Sequence, residues 1–336
     1  MSFSRYNTED SVISSETVIR GLWTGDVNTL STFFTASGYT EYYLDVYQGN
    51  PTSTTASMQF DIQYGHLKGS GSVPINTSLA SLGSYTPSRI VYGQYRNLVY
   101  GTENTNFSFD GTNTAEQIYV ININRNNYKQ ALQPGSLNLS LTSGSKTIKL
   151  TDDSNVTSLT RFVGENQVYY IISGSNGTPY TSSAATTYYG MMLPNLGVII
   201  LDASGSLGGA GNFIQTAGLL TSSRQDNHVK LFNAISASAA ASPSTNAFTL
   251  QSQEVVSSRY FFTRIKNSEF NYTSNPSIID DNGNLLYTTL INNPQTYITT
   301  VGMYNDNNEL LAVAKLSKPL TKDFTKEALI RIKLDY

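Results

Sequence analysis

Residues 58–64 have the sequence Met-Gln-Phe-Asp-Ile-Gln-Tyr, in which apolar and polar side chains alternate. Neighbouring side chains of a β-strand point to opposite faces of a sheet, so the four apolar residues would share one face. The two glutamines and Asp61 would share the other face. The segment therefore predicts a strand of an antiparallel sheet that has one face in the core and one face in water.

Similar patterns, rich in β-branched and aromatic residues, recur along the chain and predict more strands. These predicted strands cover 16–23, 42–48, 117–123, 136–141 and 147–150. Segments 168–172 and 197–202 are almost wholly apolar, which predicts strands buried on both faces or between subunits. The fold class that follows is mainly β, with antiparallel sandwich-like domains and two or three short α-helices.

Apolar residues at helical spacing predict the helices. One helix is expected near 88–100, with Ser88 as its N-terminal cap and Gly101 ending it. A second is expected near 225–240, where valine, phenylalanine and isoleucine recur every three residues. A short helical turn is expected over 125–132.

Composition excludes several classes of function. The 336 residues contain 21 Lys and Arg against 24 Asp and Glu, so the formal net charge is −3 and no basic surplus exists to bind a nucleic acid. The absence of cysteine excludes disulfides, thiolate metal sites and cysteine nucleophiles. The chain has two histidines, far apart, which argues against a histidine metal site or a Ser-His-Asp triad.

No apolar stretch approaches the length of about 18 residues that would span a membrane, and the first residues do not resemble a signal peptide. We therefore expect synthesis in the cytoplasm and no membrane partner. No nucleotide-binding, hydrolase or kinase motif occurs either.

The adjacent carboxylates Asp152-Asp153 and Asp280-Asp281 are considered as candidates for acid–base work. Neighbours on a strand point apart, so neither pair is expected to converge on a substrate. Residues 280–284, Asp-Asp-Asn-Gly-Asn, resemble a calcium loop but lack its ligand order, and Asn-Gly favours a turn. Residues 305–308 are predicted to form an Asx-rich turn. We therefore expect no enzyme activity, no cofactor and no metal.

The tract 236–244 is of low complexity and marks the predicted boundary between an N-terminal body, 1–243, and a C-terminal β-domain, 244–336. Strands are predicted to follow one another closely in the second part. They cover Thr249–Val256, Arg259–Lys266, Glu269–Thr273, Leu285–Thr289, Tyr297–Tyr304, Glu309–Leu316 and Glu327–Asp335.

Residues 296–316 have the sequence Thr-Tyr-Ile-Thr-Thr-Val-Gly-Met-Tyr-Asn-Asp-Asn-Asn-Glu-Leu-Leu-Ala-Val-Ala-Lys-Leu. This stretch resembles the "IT-x-hydrophobic-GLYD-x-x-x-x-LLAVA" segment of bacteriophage tail-fibre and baseplate attachment domains. The wider run from Glu269 to Tyr336 looks like the end of virion structural proteins from large contractile-tailed phages. The resemblance covers about the last 70–80 residues and implies a structural component of the virion, in its tail or baseplate.

Both faces of the predicted strand 309–316 are apolar, so each needs cover, either from a second sheet or from a neighbouring subunit. The residues expected at such an interface are Tyr297, Ile298, Val301, Met303, Tyr304, Leu310, Leu311, Val313 and Leu316. The expected partners are other virion structural proteins and further copies of the chain in a symmetric assembly. The expected location is the virion, assembled in the host cytoplasm.

Two other placements remain open. One is a neck, portal-adjacent or capsid-decorating virion protein. The other is a receptor-binding or glycan-binding fibre module, with a host surface glycan as partner and Tyr42, Tyr43, Tyr188 and Tyr189 as candidate contacts. A virion-borne depolymerase would need converging carboxylates, and the sequence nominates none.

Overall fold

The computed structural model describes residues 5–35, 42–72, 86–109, 111–156, 160–180, 187–204, 226–241, 248–272 and 275–336. Of these residues, 47% lie in strands, the sheets are antiparallel, and three α-helices are present. No barrel closes within the described residues. The predicted mainly-β class with two or three short helices is confirmed.

The strands of the described residues are numbered in chain order. They are β1 (Ser11–Gly21), β2 (Thr29–Leu30), β3 (Phe34–Thr35), β4 (Tyr43–Tyr47), β5 (Met58–His66), β6 (Gln117–Ile123), β7 (Ala131–Leu132), β8 (Leu139–Ser143), β9 (Lys146–Asp152), β10 (Arg161–Val163), β11 (Asn166–Ser175), β12 (Thr178–Pro179), β13 (Tyr188–Leu193), β14 (Val198–Asp202), β15 (Phe248–Thr249), β16 (Gln251–Ile265), β17 (Thr296–Tyr304), β18 (Leu310–Lys322) and β19 (Ala328–Asp335). The α-helices are α1 (Pro87–Tyr100), α2 (Asn227–Ala241) and α3 (Thr288–Asn292).

Contacts between residues group the chain into two compact units. The larger unit is Thr17–Glu254, and the smaller unit combines Met1–Glu16 with Val255–Tyr336. The boundary between the two units falls once within β1 and once within β16. The division into domains 1–243 and 244–336 stays a prediction about which parts fold independently.

The larger unit is built on a sheet with the strand order β3-β4-β5-β6-β14-β13-β11-β9-β8. Strands β10 and β12 pair with β11 and bring the sheet to eleven strands. All five residues of β14 are buried, and most of 168–172 is buried too. This confirms that the two nearly continuous apolar runs lie in the deep core.

Alternation along the central strands builds a separate apolar cluster on each face of this sheet. On one face, Phe60, Ile121 and Leu201 belong to a cluster that also holds Leu231 and Ile235 of α2. The other face has its own cluster, made by side chains of β6, β13 and β14 with three residues of α1. The sheet of the larger unit is therefore covered on both sides at its centre.

Because both faces of the sheet are covered, the expectation that the polar face of 58–64 lies in water is wrong. Gln59 and Asp61 are buried. Gln59 accepts a hydrogen bond from the Thr24 amide at 3.1 Å, and its own amide donates to Thr24 Oγ1 at 2.7 Å. Polar side chains are retained in this interior because they pair with one another and with the backbone.

Helix α1 begins one residue earlier than predicted, and a different residue occupies its N-terminal capping position. Pro87 is its first residue, and Thr86 occupies the capping position without a side-chain capping bond. Ser88, the predicted cap, lies inside the first turn, where its amide donates to Ser72 Oγ and its own Oγ accepts from the Ser72 hydroxyl. Gly101 ends the helix as predicted, in the left-handed region at φ 70°.

The predicted turn over 125–132 is only partly correct. A 3-10 turn covers Arg125–Asn127, closed by the Asn124 side chain, which accepts the Asn126 amide. The chain then extends into β7, which pairs with β16. Backbone pairing to a strand remote in sequence therefore overrides the helical spacing here.

In the smaller unit, β16 pairs with β19, and β17 pairs with β18 as a separate hairpin. The strands predicted over Thr249–Val256 and Arg259–Lys266 form one long strand from Gln251, preceded by the two-residue β15. Those predicted over Glu269–Thr273 and Leu285–Thr289 are wrong in the described residues. Bends replace the first, where the Glu269 carboxylate accepts the Lys266 amide and the Asn271 amide donates to the Asn267 carbonyl. Helix α3 begins within the second, at Thr288.

Candidate assembly surface

The hairpin β17–β18 is the segment that resembles phage attachment domains, and its register is well defined. Val301 pairs with Ala314, and Gly302 pairs with Val313. Asn305 closes the turn, because its side-chain Oδ1 accepts the amides of Asn307 at 3.0 Å and Glu309 at 2.8 Å. The predicted Asx-rich turn is confirmed, with Asn308 in the left-handed region at φ 62°.

One face of the hairpin supplies the core of the smaller unit. Among the described residues, its buried apolar side chains are few: Ile265 of β16 and Ile330 and Ile332 of β19. The hairpin residues packed against these three isoleucines are Ile298, Val301, Met303, Ala314, Leu316 and Leu320. Four of the nine predicted interface residues, Ile298, Val301, Met303 and Leu316, therefore lie on the inner face.

The other five, Tyr297, Tyr304, Leu310, Leu311 and Val313, are exposed on the hairpin. Leu311 exposes 68% of its surface and Val313 exposes 59%. We call Tyr304, Leu310, Leu311 and Val313 the hairpin patch. Whether a neighbouring subunit covers these residues stays a prediction.

Gly302 organises the hairpin patch. A Cβ built on Gly302 would lie 2.9 Å from Tyr304 Cε2 and 3.3 Å from Leu310 Cδ1. Its cross-strand partner Val313 projects on the same face. The tyrosine ring and the leucine therefore lie over the glycine, on the face of the hairpin to which Val313 also points.

The two units differ sharply in how they place apolar residues. Among the described residues, all the buried apolar side chains except three isoleucines belong to the larger unit. Most of the exposed large apolar side chains belong to the smaller unit, among them Phe270, Tyr287 and Leu329. Among the described residues, the smaller unit therefore combines a small core with much exposed apolar surface.

The carboxylate pair Asp152-Asp153 diverges as predicted. Asp152 is buried and accepts the Gly135 amide at 2.8 Å, whereas Asp153 pairs with Arg161. Burial raises the pKa of Asp152. Asp280 accepts the amides of Asn282 and Asn284 within its own turn, which confirms a turn at 280–284.

The structure brings together a further pair of carboxylates, which the sequence analysis missed. Asp45 of β4 lies directly across the ladder from Asp61 of β5. Burial raises the pKa of Asp61, with a smaller contribution from Asp45, whereas hydrogen bonds from Gln63 at 2.8 Å and Asn122 at 2.9 Å oppose this shift. Both aspartates occupy polar positions of alternating strands, but only the register between the strands brings them together.

The two histidines lie on different elements. His66 Nδ1 accepts the Lys68 amide at 3.0 Å, and burial lowers its pKa. Burial also lowers the pKa of His228, to about 4, so this side chain is neutral at pH 7. In the part of the chain that the structure describes, no three His, Asp or Glu side chains come together in a way that could hold a metal ion.

The candidate glycan-contacting tyrosines do not form one surface. Tyr188 packs against the cluster that includes α1, and Tyr189 packs against the cluster that includes α2. Tyr43 is exposed on β4, and Tyr42 is half-buried. As expected for a strand, adjacent tyrosines serve opposite faces.

Comparison of the chain with protein-family models, with curated proteins and with solved structures found no match. Among the described residues, none of the helices has both the length and the apolar character needed to cross a membrane.

Proposed function

We propose that this chain is a non-enzymatic structural component of a bacteriophage virion, located in the tail or baseplate. The observation that supports the proposal is the hairpin patch, an exposed apolar surface on the hairpin that resembles phage attachment domains. Other virion proteins, or further copies of the chain in a symmetric assembly, would cover it.

Burial energetics favour an assembly role for the patch. Full burial of one fully exposed large apolar side chain contributes about 2 kcal/mol, and the four patch residues of each copy, 42% to 68% exposed, would each contribute part of that value. A symmetric assembly repeats that contribution at every subunit. The smaller unit would thereby gain from its neighbours the apolar burial that its own core lacks.

The composition of the whole chain suits a particle that meets varying salt. Only 13% of residues are charged, and the described ion pairs are few. Hydrogen bonds from uncharged Asn, Ser, Thr and Tyr side chains are screened by salt much less than ion pairs are.

The proposal is tested by localising the chain on intact particles whose genome encodes it. Antibody raised against the purified chain is expected to label the tail end in electron micrographs. Labelling of the neck or head instead would move the chain to a neck or capsid role. A chain absent from purified particles would contradict a structural role in the virion.

A further inference from the structure

Lys322, at the end of β18, is a buried amine with an unusual set of partners. It exposes 0% of its surface. Its Nζ donates to Asn271 Oδ1 at 2.6 Å, to the Asp323 carbonyl at 2.7 Å and to the Asn267 carbonyl at 3.1 Å. Asn271 is itself only 4% exposed, so an amine and a carboxamide meet out of water.

The ammonium of Lys322 forms no ion pair among the described residues, although it lies close enough to Glu327 to help lower the pKa of that carboxyl group. Within the described residues, no carboxylate oxygen lies within ion-pair distance of Nζ. The Asp323 carboxylate is directed to the Thr325 amide at 2.9 Å and to Lys326 Nζ at 2.9 Å. A buried charge held only by neutral acceptors is costly, and the cost disappears if the nitrogen becomes part of a neutral amide.

We propose that Lys322 and Asn271 form an intramolecular isopeptide bond. The proton in the Nζ–Oδ1 hydrogen bond passes to Asn271 Oδ1, which frees the electron pair of Nζ and makes Cγ more electrophilic. Nζ then attacks Cγ, which is one bond away from the oxygen it already contacts. A new Cγ–Nζ bond forms, and the bond from Cγ to Nδ2 breaks. The attacking nitrogen releases one proton to the departing nitrogen, which leaves as ammonia, and Oδ1 returns the proton it took to that ammonia, so the products are a neutral amide and an ammonium ion. No oxidant, reductant or cofactor is needed.

Two features of the site favour this reaction over hydrolysis of the carboxamide. The nucleophile is held against its target by the fold, which replaces a bimolecular encounter by a positioned one. The burial of both side chains keeps competing water away. Asn271 is further fixed because its amide donates to the Asn267 carbonyl at 2.6 Å.

The bond would join the turn after β16 to the end of β18. It would close a loop between positions 51 residues apart that contains α3 and the whole hairpin. A covalent closure of this length constrains the unfolded chain as a disulfide does. The chain has no cysteine, and the core of the smaller unit is small, so the isopeptide would supply the missing restraint. It would form whatever the place of the chain in a virion.

Mass spectrometry of the denatured full-length chain tests the proposal. The wild-type mass is expected to be lower than its sequence mass by one ammonia, and proteolysis is expected to release a branched peptide joining Asn271 to Lys322. Lys322→Arg and Asn271→Ala are expected to restore the full sequence mass. Lys318→Arg, on the same strand but exposed, should keep the loss.

Two results would overturn it. One is a wild-type chain with its full sequence mass. The other is a loss of ammonia that persists in Lys322→Arg, because a succinimide at Asn176-Gly177 or Asn282-Gly283 would give the same mass change. Since the wild-type mass is read on denatured protein, the test does not depend on how well a variant folds.

Discussion

Replacing Leu311 and Val313 together by aspartate is expected to leave the chain folded and to abolish its self-association and incorporation into particles. Both side chains are mostly exposed on the hairpin, so the change removes little contact within the chain. In an assembly, two carboxylates would be buried where apolar groups belong. We expect association at least roughly 100-fold weaker, measured by light scattering or sedimentation, with an unchanged circular dichroism spectrum.

The matched control places the same two charges elsewhere. Ser143 and Ser145 lie at the β8–β9 turn of the larger unit, also two positions apart. The double change to aspartate at these positions should leave association and incorporation as in the wild type. Equal association of both double variants and the wild type would show that the hairpin patch is not the assembly surface.

Replacing Phe60 by alanine is expected to destabilise the larger unit by about 3–5 kcal/mol. The ring is fully buried, with its centroid 5.5 Å from that of Phe248 and 5.9 Å from that of Trp23. Its removal leaves a cavity in a cluster that rigid strands on the sheet prevent from collapsing. Trp23 is the only tryptophan, so its fluorescence during urea unfolding reports this cluster directly.

Phe162 gives the control for that change. It lies on β10 and exposes 64% of its surface, so Phe162→Ala should alter the unfolding free energy by less than about 0.5 kcal/mol. Similar unfolding midpoints for the two variants would contradict the packing described around Phe60.

The sequence was enough to predict elements whose pattern is local. The strands β5, β6 and β14 follow from alternation or from short apolar runs, and both long helices follow from spacing. The sequence was not enough where pairing with a segment remote in the chain determines the secondary structure. The helical spacing of 125–132 gave way to β7 because that stretch pairs with β16.

The burial of the second face of 58–64 was missed for a similar reason. Polar residues at alternating positions usually face water, but Asp61 faces Gln63 and Asn122 within the sheet. These hydrogen-bond partners depend on the register between neighbouring strands, which the sequence of one strand does not determine. The Asp45–Asp61 pair was missed on the same ground.

In the candidate surface, the sequence predicted the hairpin and its turn. It could not say which apolar face meets the core, because both faces of β18 carry apolar side chains. One face becomes the inner face because it packs against Ile265, Ile330 and Ile332, which lie on the strands before and after the hairpin in sequence. Gly302 then arranges Tyr304 and Leu310 on the outer face, a detail that depends on the register shift at Tyr304.

The most direct test of the assembly account uses the absence of cysteine, which makes a single introduced thiol the only one in the chain. Val313→Cys places it in the hairpin patch, and Ser145→Cys places it in the exposed β8–β9 turn. Both thiols should react fully with a maleimide in the isolated chain. In purified particles, the account predicts that Cys at 313 is protected while Cys at 145 still reacts. Full reaction at 313 in intact particles would contradict the claim that the hairpin patch is buried on assembly.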